Sequence, residues 1–208
     1  MIFPGILLLI WLIIWSIIQI IVVKKDHNPK FKRLLDNSFF NLLIVLGMII
    51  FIMFLIPFSP QSKLVGEGMM ILNYTGQFLI ILGILNFLWI FLKKRRVGAQ
   101  EMDKLLTNGA YGVSRHPIYV SHMLIFFGLV FEIGAFDTML LAPIIIIMYI
   151  VTAKIEEIYS IGKIFNEEYD AYRKRVPMFI KWWIIMTLGI VFIGFLVLSL
   201  YTGFLQLA

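Results

Sequence analysis

Uncharged apolar runs of helix length constrain this chain more than anything else in it. Residues 2–23, 39–58 and 69–92 carry no charged side chain, and a run of about 20 such residues crosses a hydrocarbon layer roughly 30 Å thick. Residues 118–151 are too many for one crossing. Gly134-Ala135-Phe136-Asp137 in their middle supplies a tight turn, so the stretch reads as two short helices packed as a hairpin. Residues 182–205 make a sixth span. Backbone polar groups in lipid must be satisfied within the segment, which favours helices. The expected fold class is therefore all-α: a polytopic integral membrane bundle of about six transmembrane helices.

Composition excludes the alternatives. Hydrophobic residues make up 61% of the 208 residues and charged residues 14%, against about a quarter charged in soluble domains. A soluble enzyme core cannot absorb that much apolar surface, and a disordered tail would be far more polar. With no cysteine there is no disulfide, thiolate nucleophile or Cys-ligated zinc. The start is not expected to be a cleaved signal peptide, because it has no basic n-region and its apolar run is too long. We expect a single membrane domain over 1–208. It comprises a three-span part (1–92), a core of loop, hairpin and amphipathic helix (93–180), and a last span (181–208).

The basic residues orient the bundle. Lys24, Lys25, Lys30, Lys32 and Arg33 fall in the first loop, and Lys93, Lys94, Arg95, Arg96, Lys104 and Arg115 in the third. Lys154, Lys163, Arg173, Lys174, Arg175 and Lys181 fall in the fifth, leaving only Lys63 for the other side. An excess of Lys and Arg marks cytoplasmic loops, so both termini are expected outside. The same alternation explains the net charge of +6 without a nucleic-acid partner.

Two of these loops are more than connectors. In the third, Asn108-Gly109 favours a turn with positive φ, and Pro117 suits the first turn of the fourth span. Arg115 and His116 then stand at a helix N-terminus, whose dipole and free N–H groups attract an anionic group. In the fifth, Glu156 and Glu157 sit at the membrane boundary, where a carboxylate needs a cation or hydrogen-bond donors. Beyond them Ile158, Ile161, Phe165, Tyr169, Tyr172 and Val176 recur every three or four residues. They predict one amphipathic helix along the inner membrane surface. Asn73, Gln77 and Asn86 suit interhelical hydrogen bonds, and Glu132 suits the interface. His116 and His122 are six apart and face different ways on a helix, so no metal site is expected. Gly66-Glu67-Gly68 is a lone Gly-x-Gly with no strand predicted before it, too little for a dinucleotide motif.

Leu-Thr-Asn-Gly-Ala-Tyr, Ser-Arg-His-Pro-Ile-Tyr, the Glu-Glu pair and Phe-Asn-Glu-Glu-Tyr-Asp-Ala-Tyr-Arg-Lys-Arg-Val-Pro together cover residues 104–177. Over that stretch the sequence resembles the isoprenylcysteine carboxyl methyltransferase family, with the related phospholipid methyltransferases close behind. The resemblance implies a cytoplasm-facing pocket for S-adenosyl-L-methionine and a lipophilic acceptor arriving from the bilayer among membrane lipids. By position, Lys104, Leu105, Leu106 and Tyr111 would line the cofactor, and His116, Pro117, Ile118 and Tyr119 would hold it. Glu157 would bind its amino-acid end. Arg115, His116 and Glu157 would be the catalytic group, with His116 as the base if one is needed. Lys154 and Arg175 would meet the acceptor. The family's acceptor-carboxylate arginine falls on Ala153 here, with Lys154 the nearest basic residue. Acceptor chemistry is thus open between O-methylation of an isoprenylcysteine-like carboxylate, N-methylation of a phospholipid and another lipid group. Two other classes compete: an NADPH-dependent reductase of the sterol-reductase type, whose Arg-His-Pro-Asn-Tyr pattern has Ile118 in place of its asparagine here, and a small transporter.

Overall fold

The computed structural model describes residues 2–24, 28–30, 33, 38–96 and 104–208. Lys25 and Lys32 lie outside these, as do the side chains of Lys93, Lys94, Arg95 and Arg96. Every expected span is a helix. They are α1 (Ile2–Lys24), α2 (Ser38–Ile50, continued by a π turn Phe51–Leu55 and a last turn Ile56–Phe58) and α3 (Met69–Arg96). After a single-turn α4 (Ala110–Val113) come α5 (Pro117–Ile133), α6 (Phe136–Glu156), α7 (Gly162–Arg175) and α8 (Trp182–Tyr201). Three stretches, Ile2–Lys24, Met69–Leu92 and Phe136–Arg175, are long and apolar enough to cross a membrane, and Leu46–Phe58, Pro117–Ile133 and Met186–Tyr201 are shorter apolar helices. The chain is an all-α membrane bundle.

The hairpin turn is built as its sequence suggests. Gly134 takes the left-handed conformation (φ 66°) that ends α5. The tightest packing of α5, however, is against α3 rather than α6. A Cβ on Gly76 would lie 2.6 Å from the Gly128 carbonyl oxygen, and one on Gly128 would lie 2.6 Å from Ile80 Cγ1. Small residues let the two backbones touch, the usual basis of helix association where lipid removes the hydrophobic drive. The polar residues of α3 sit on the same seam. Gln77 Nε2 donates to Glu132 Oε1 at 3.2 Å, and Asn86 Nδ2 donates to Ser121 Oγ at 2.8 Å and to the Pro117 carbonyl at 3.2 Å. Helix α1 joins through Trp15 Nε1, which donates to Thr152 Oγ1 of α6 at 2.9 Å, and through Trp11 stacked on Phe51.

Two features depart from expectation. First, a two-residue strand β1 (Leu64–Val65) directly precedes Gly66 and pairs antiparallel with β2 (Gln206–Leu207). Lys63 also bridges to Ala135, and the Ser62 amide donates to Asp137 Oδ2 at 3.1 Å. The second loop, the hairpin turn and the C-terminal residues are thereby tied together at one end of the bundle. Strands this short show no alternation that a sequence can reveal. Second, the amphipathic helix is not continuous. A π turn (Glu157–Ile161) extends α6, and Asn166 (φ 43°, ψ −117°) breaks α7. The extra residue in the π turn rotates Ile158 off the face it was assigned, leaving it 60% exposed. Tyr169, Tyr172 and Val176 form a buried cluster, with Ile161, Phe165 and Leu105 against it.

Candidate active site

The site lies at the other end of the bundle, where two loops interlock. Gly109 takes φ 67° as the Asn-Gly pair requires, and Pro117 occupies the first turn of α5 with His116 as its N-cap residue. The segment after α7 then fixes the turn. The Arg115 amide donates to the Pro177 carbonyl at 2.9 Å, and the His116 amide donates to the Met178 carbonyl at 3.0 Å. Ser114 Oγ donates to that same Met178 carbonyl at 3.0 Å. With the backbone held this way, both side chains point at the end of α6.

There they meet the acidic pair. His116 Nε2 lies 3.0 Å from Glu157 Oε1, and His116 Nδ1 lies 3.5 Å from Glu156 Oε2. Arg115 Nη1 reaches Glu157 Oε1 at 3.3 Å and Oε2 at 3.4 Å. The Tyr119 hydroxyl donates to Glu156 Oε1, and its ring stacks on His116 with centroids 5.5 Å apart. An imidazole with a carboxylate on each nitrogen is satisfied only as the doubly protonated cation. Burial pulls the His116 pKa down, but the hydrogen bonds and charges of Glu156 and Glu157 outweigh it and leave the group above its usual value. Burial pushes Glu157 up, but the hydrogen bond from His116, the nearby Tyr169 hydroxyl and the charges of Arg115 and His116 leave it below its usual value. The Tyr169 hydroxyl contributes from close by without reaching ordinary hydrogen-bond geometry. Burial, with the Glu156 charge second, raises Tyr111.

Two cavities flank this network and share Arg115. One, of about 330 Å³, is lined by Tyr111, His116, Pro117, Ile118, Tyr119 and Glu156, with Ser160 and Ile161 completing it. The other is an open cleft of about 760 Å³ lined by Lys154, Glu157, Ile158, Tyr169, Lys174 and Met178, with Gly162, Asp170 and Arg173 around it. The consecutive acids therefore face different spaces.

The structure brings Tyr111, Arg115, His116, Pro117, Ile118 and Tyr119 around one cavity, with Glu157 touching it through Arg115 and His116. Lys154 lines the second cleft. Leu105 instead packs on the Tyr169–Tyr172–Val176 cluster, and Lys104 and Leu106 line neither cavity. Arg175 turns back to the Ala171 carbonyl at 3.4 Å and is exposed. Ala153 is fully buried. Ser160 is a site residue that no motif pointed to, whereas Tyr169 and Lys174 lie within the quoted 165–177 stretch, which assigned neither a site role. Tyr169 also belongs to the helical apolar period, and Lys174 to the basic cluster of the fifth loop. His122 contacts Phe87, Tyr119 and Tyr149 by its ring within the bundle. Among the described residues no group of three or more His, Cys, Asp or Glu side chains is arranged to hold a metal ion.

The sequence profile of the phospholipid methyltransferase family matches residues 63–168, a stretch that includes α3, the Arg115–His116 turn and both acids. No individually curated protein and no solved structure matches the chain.

Proposed function

Because the chain belongs to the phospholipid methyltransferase family, we propose that the cavity at the head of α5 binds S-adenosylmethionine and that this membrane methyltransferase delivers its methyl group to a lipid acceptor. The residues present fit that donor. A ligand carrying a sulfonium, an ammonium and a carboxylate needs an anion at one end and donors at the other. Glu156 supplies the anion within the cavity. The N-terminus of α5 and the guanidinium of Arg115, whose buried Nε has no hydrogen-bond partner, supply the donors. Tyr111, Ile118 and Tyr119 give flat and apolar walls, in a volume typical of small-molecule sites.

S-adenosylmethionine held there would supply an electrophilic methyl group to the acceptor and leave as S-adenosylhomocysteine. The chain contributes alignment of donor and acceptor. Arg115 and Glu157 brace each other, and His116 as a cation fixes both acids. In that state it has no lone pair for a proton, so its first role is positioning, and a role as base requires the neutral form that its neighbours disfavour. The basic loops put the site on the cytoplasmic side in this reading. A phosphate-bearing amine fits as acceptor better than a prenylcysteine carboxylate. Ala153 stands in the arginine position, and both arginines of the cleft already pair with carboxylates.

The single observation that carries the reading is the Arg115–His116–Glu157 contact beside a cavity at a helix N-terminus. Titration of the detergent-purified chain with S-adenosylmethionine and with NADPH tests it. Micromolar binding of the first is expected. Binding of NADPH alone would favour a reductase, and binding of neither a transporter.

A further inference from the structure

The cleft on the far side of Glu157 has an excess of positive charge that the donor cavity does not use. Of its charged side chains, Arg115 is engaged by Glu157, and Arg173 Nε by Asp170 Oδ1 at 3.1 Å. Lys154 and Lys174 line the same cleft and, among the described residues, have no carboxylate partner. Between these elements lies the hydroxyl of Tyr169. The residue is 3% exposed, and the hydroxyl is buried without a hydrogen-bond partner. The hydroxyl lies near Glu157 without reaching hydrogen-bond geometry, so its donor capacity is left for another acceptor. Ile158, 60% exposed, and Met178 add apolar surface to this otherwise charged cleft.

We propose that this cleft is a lipid-headgroup subsite, in which Lys154, Lys174 and Tyr169 hold the phosphodiester of the acceptor while Ile158 and Met178 meet its apolar part. That it is the acceptor that binds here rests on the methyltransferase reading above; the anion site itself does not. Phosphate is favoured over carboxylate by the donor set. Arginine forks are the natural clamps for a carboxylate, and both are taken, whereas two lysine point charges and one neutral hydroxyl suit a tetrahedral anion with two free oxygens. A lipid is favoured over free phosphate by the apolar residues beside the charge and by the placement of Lys154 at the end of a membrane-length helix. Arg115 belongs to both spaces, so a headgroup in the cleft would lie next to the methyl donor.

The full chain in detergent is titrated with dihexanoylphosphatidylethanolamine, with dihexanoylglycerol, which lacks the phosphate, and with inorganic phosphate. Each titration is run with and without saturating S-adenosylhomocysteine. The phospholipid should bind at least about tenfold more tightly than the diacylglycerol. Lys154→Gln with Lys174→Gln should abolish that advantage while leaving S-adenosylhomocysteine affinity within about twofold, and Tyr169→Phe should weaken phospholipid binding severalfold. Should the double variant fail to fold, each single lysine variant should still lose about threefold. Equal binding of the two lipids, or an advantage that survives the lysine substitutions, overturns the subsite. Saturation by inorganic phosphate at the phospholipid's own concentration overturns the lipid as its occupant. If phosphate selectivity persists but S-adenosylhomocysteine does not bind, the methyltransferase reading fails and the anion site stands.

Discussion

His116 and Glu157 meet at 3.0 Å although 41 positions separate them in the chain. The contact joins the head of α5 to the point where α6 passes into its π turn. It makes the site sensitive to the protonation of both residues.

That sensitivity has a sign. The raised pKa of His116 means that its contribution is complete below its ordinary value near 6.5 and is lost as pH rises through the folded value. The lowered pKa of Glu157 means that its contribution is complete above its ordinary value and is lost as pH falls through the folded one. Thermal stability is expected to be highest between the ordinary carboxylate and imidazole values and to fall on both sides. A melting series across this window should show an alkaline decline that His116→Gln flattens.

The two acids should differ under substitution. Glu157 is 12% exposed and braces two cations, whereas the Glu156 side chain is 41% exposed. Glu157→Gln leaves Arg115 buried without its counter-charge, at a cost of roughly 3–5 kcal/mol. It should lower the melting temperature more than Glu156→Gln does, whereas Glu156→Gln, which removes the anion lining the cavity, should act chiefly on S-adenosylmethionine affinity. Equal effects in parallel melts and titrations would show that the brace is not what holds the site.

Close approach of α3 and α5 gives a test far from the chemistry. Gly128→Ala puts a methyl group against Ile80 Cγ1 and the Gly76 carbonyl, at 2.6 and 2.8 Å, while a methyl at Gly194 of α8 meets nothing within 4 Å. The first should cost about 1–3 kcal/mol, and the second should be nearly neutral or slightly stabilising. Detergent unfolding of the pair measures the difference.

The small sheet at the opposite end should matter for stability and not for binding. Leu64 and Leu205 are almost fully buried there. Deleting residues 204–208 should lower the melting temperature by several degrees while leaving S-adenosylmethionine affinity unchanged, as paired melts and titrations of the truncated chain would show.

How far the sequence revealed this arrangement depended on whether a feature is local. Pro117, Gly109 and Gly134 act through their own dihedral angles, so the start of α5, its preceding turn and the hairpin could all be read directly. The spans were legible because charge is absent over a fixed length. The break at Asn166 had only a faint signal, since asparagine tolerates positive φ better than most residues yet is common in helices too. The π turn had none, and it is the π turn that moved Ile158 off the apolar face. The brace from Pro177 and Met178 uses backbone carbonyls, which carry no residue identity at all. Placement of Glu156 and Glu157 in separate spaces, and the cleft formed with Lys174 and Tyr169, needed the three-dimensional packing of α7 over the loop.

Methyl transfer itself tests the account most directly. The purified chain is incubated with S-adenosylmethionine labelled in its methyl group and a total membrane-lipid extract, and the organic phase is then counted and its labelled product identified. The account predicts label in a phosphate-bearing lipid, reduced at least about tenfold by His116→Ala or Glu157→Gln. Absence of label from every lipid under conditions in which the cofactor is bound, or undiminished labelling by both variants, would contradict it.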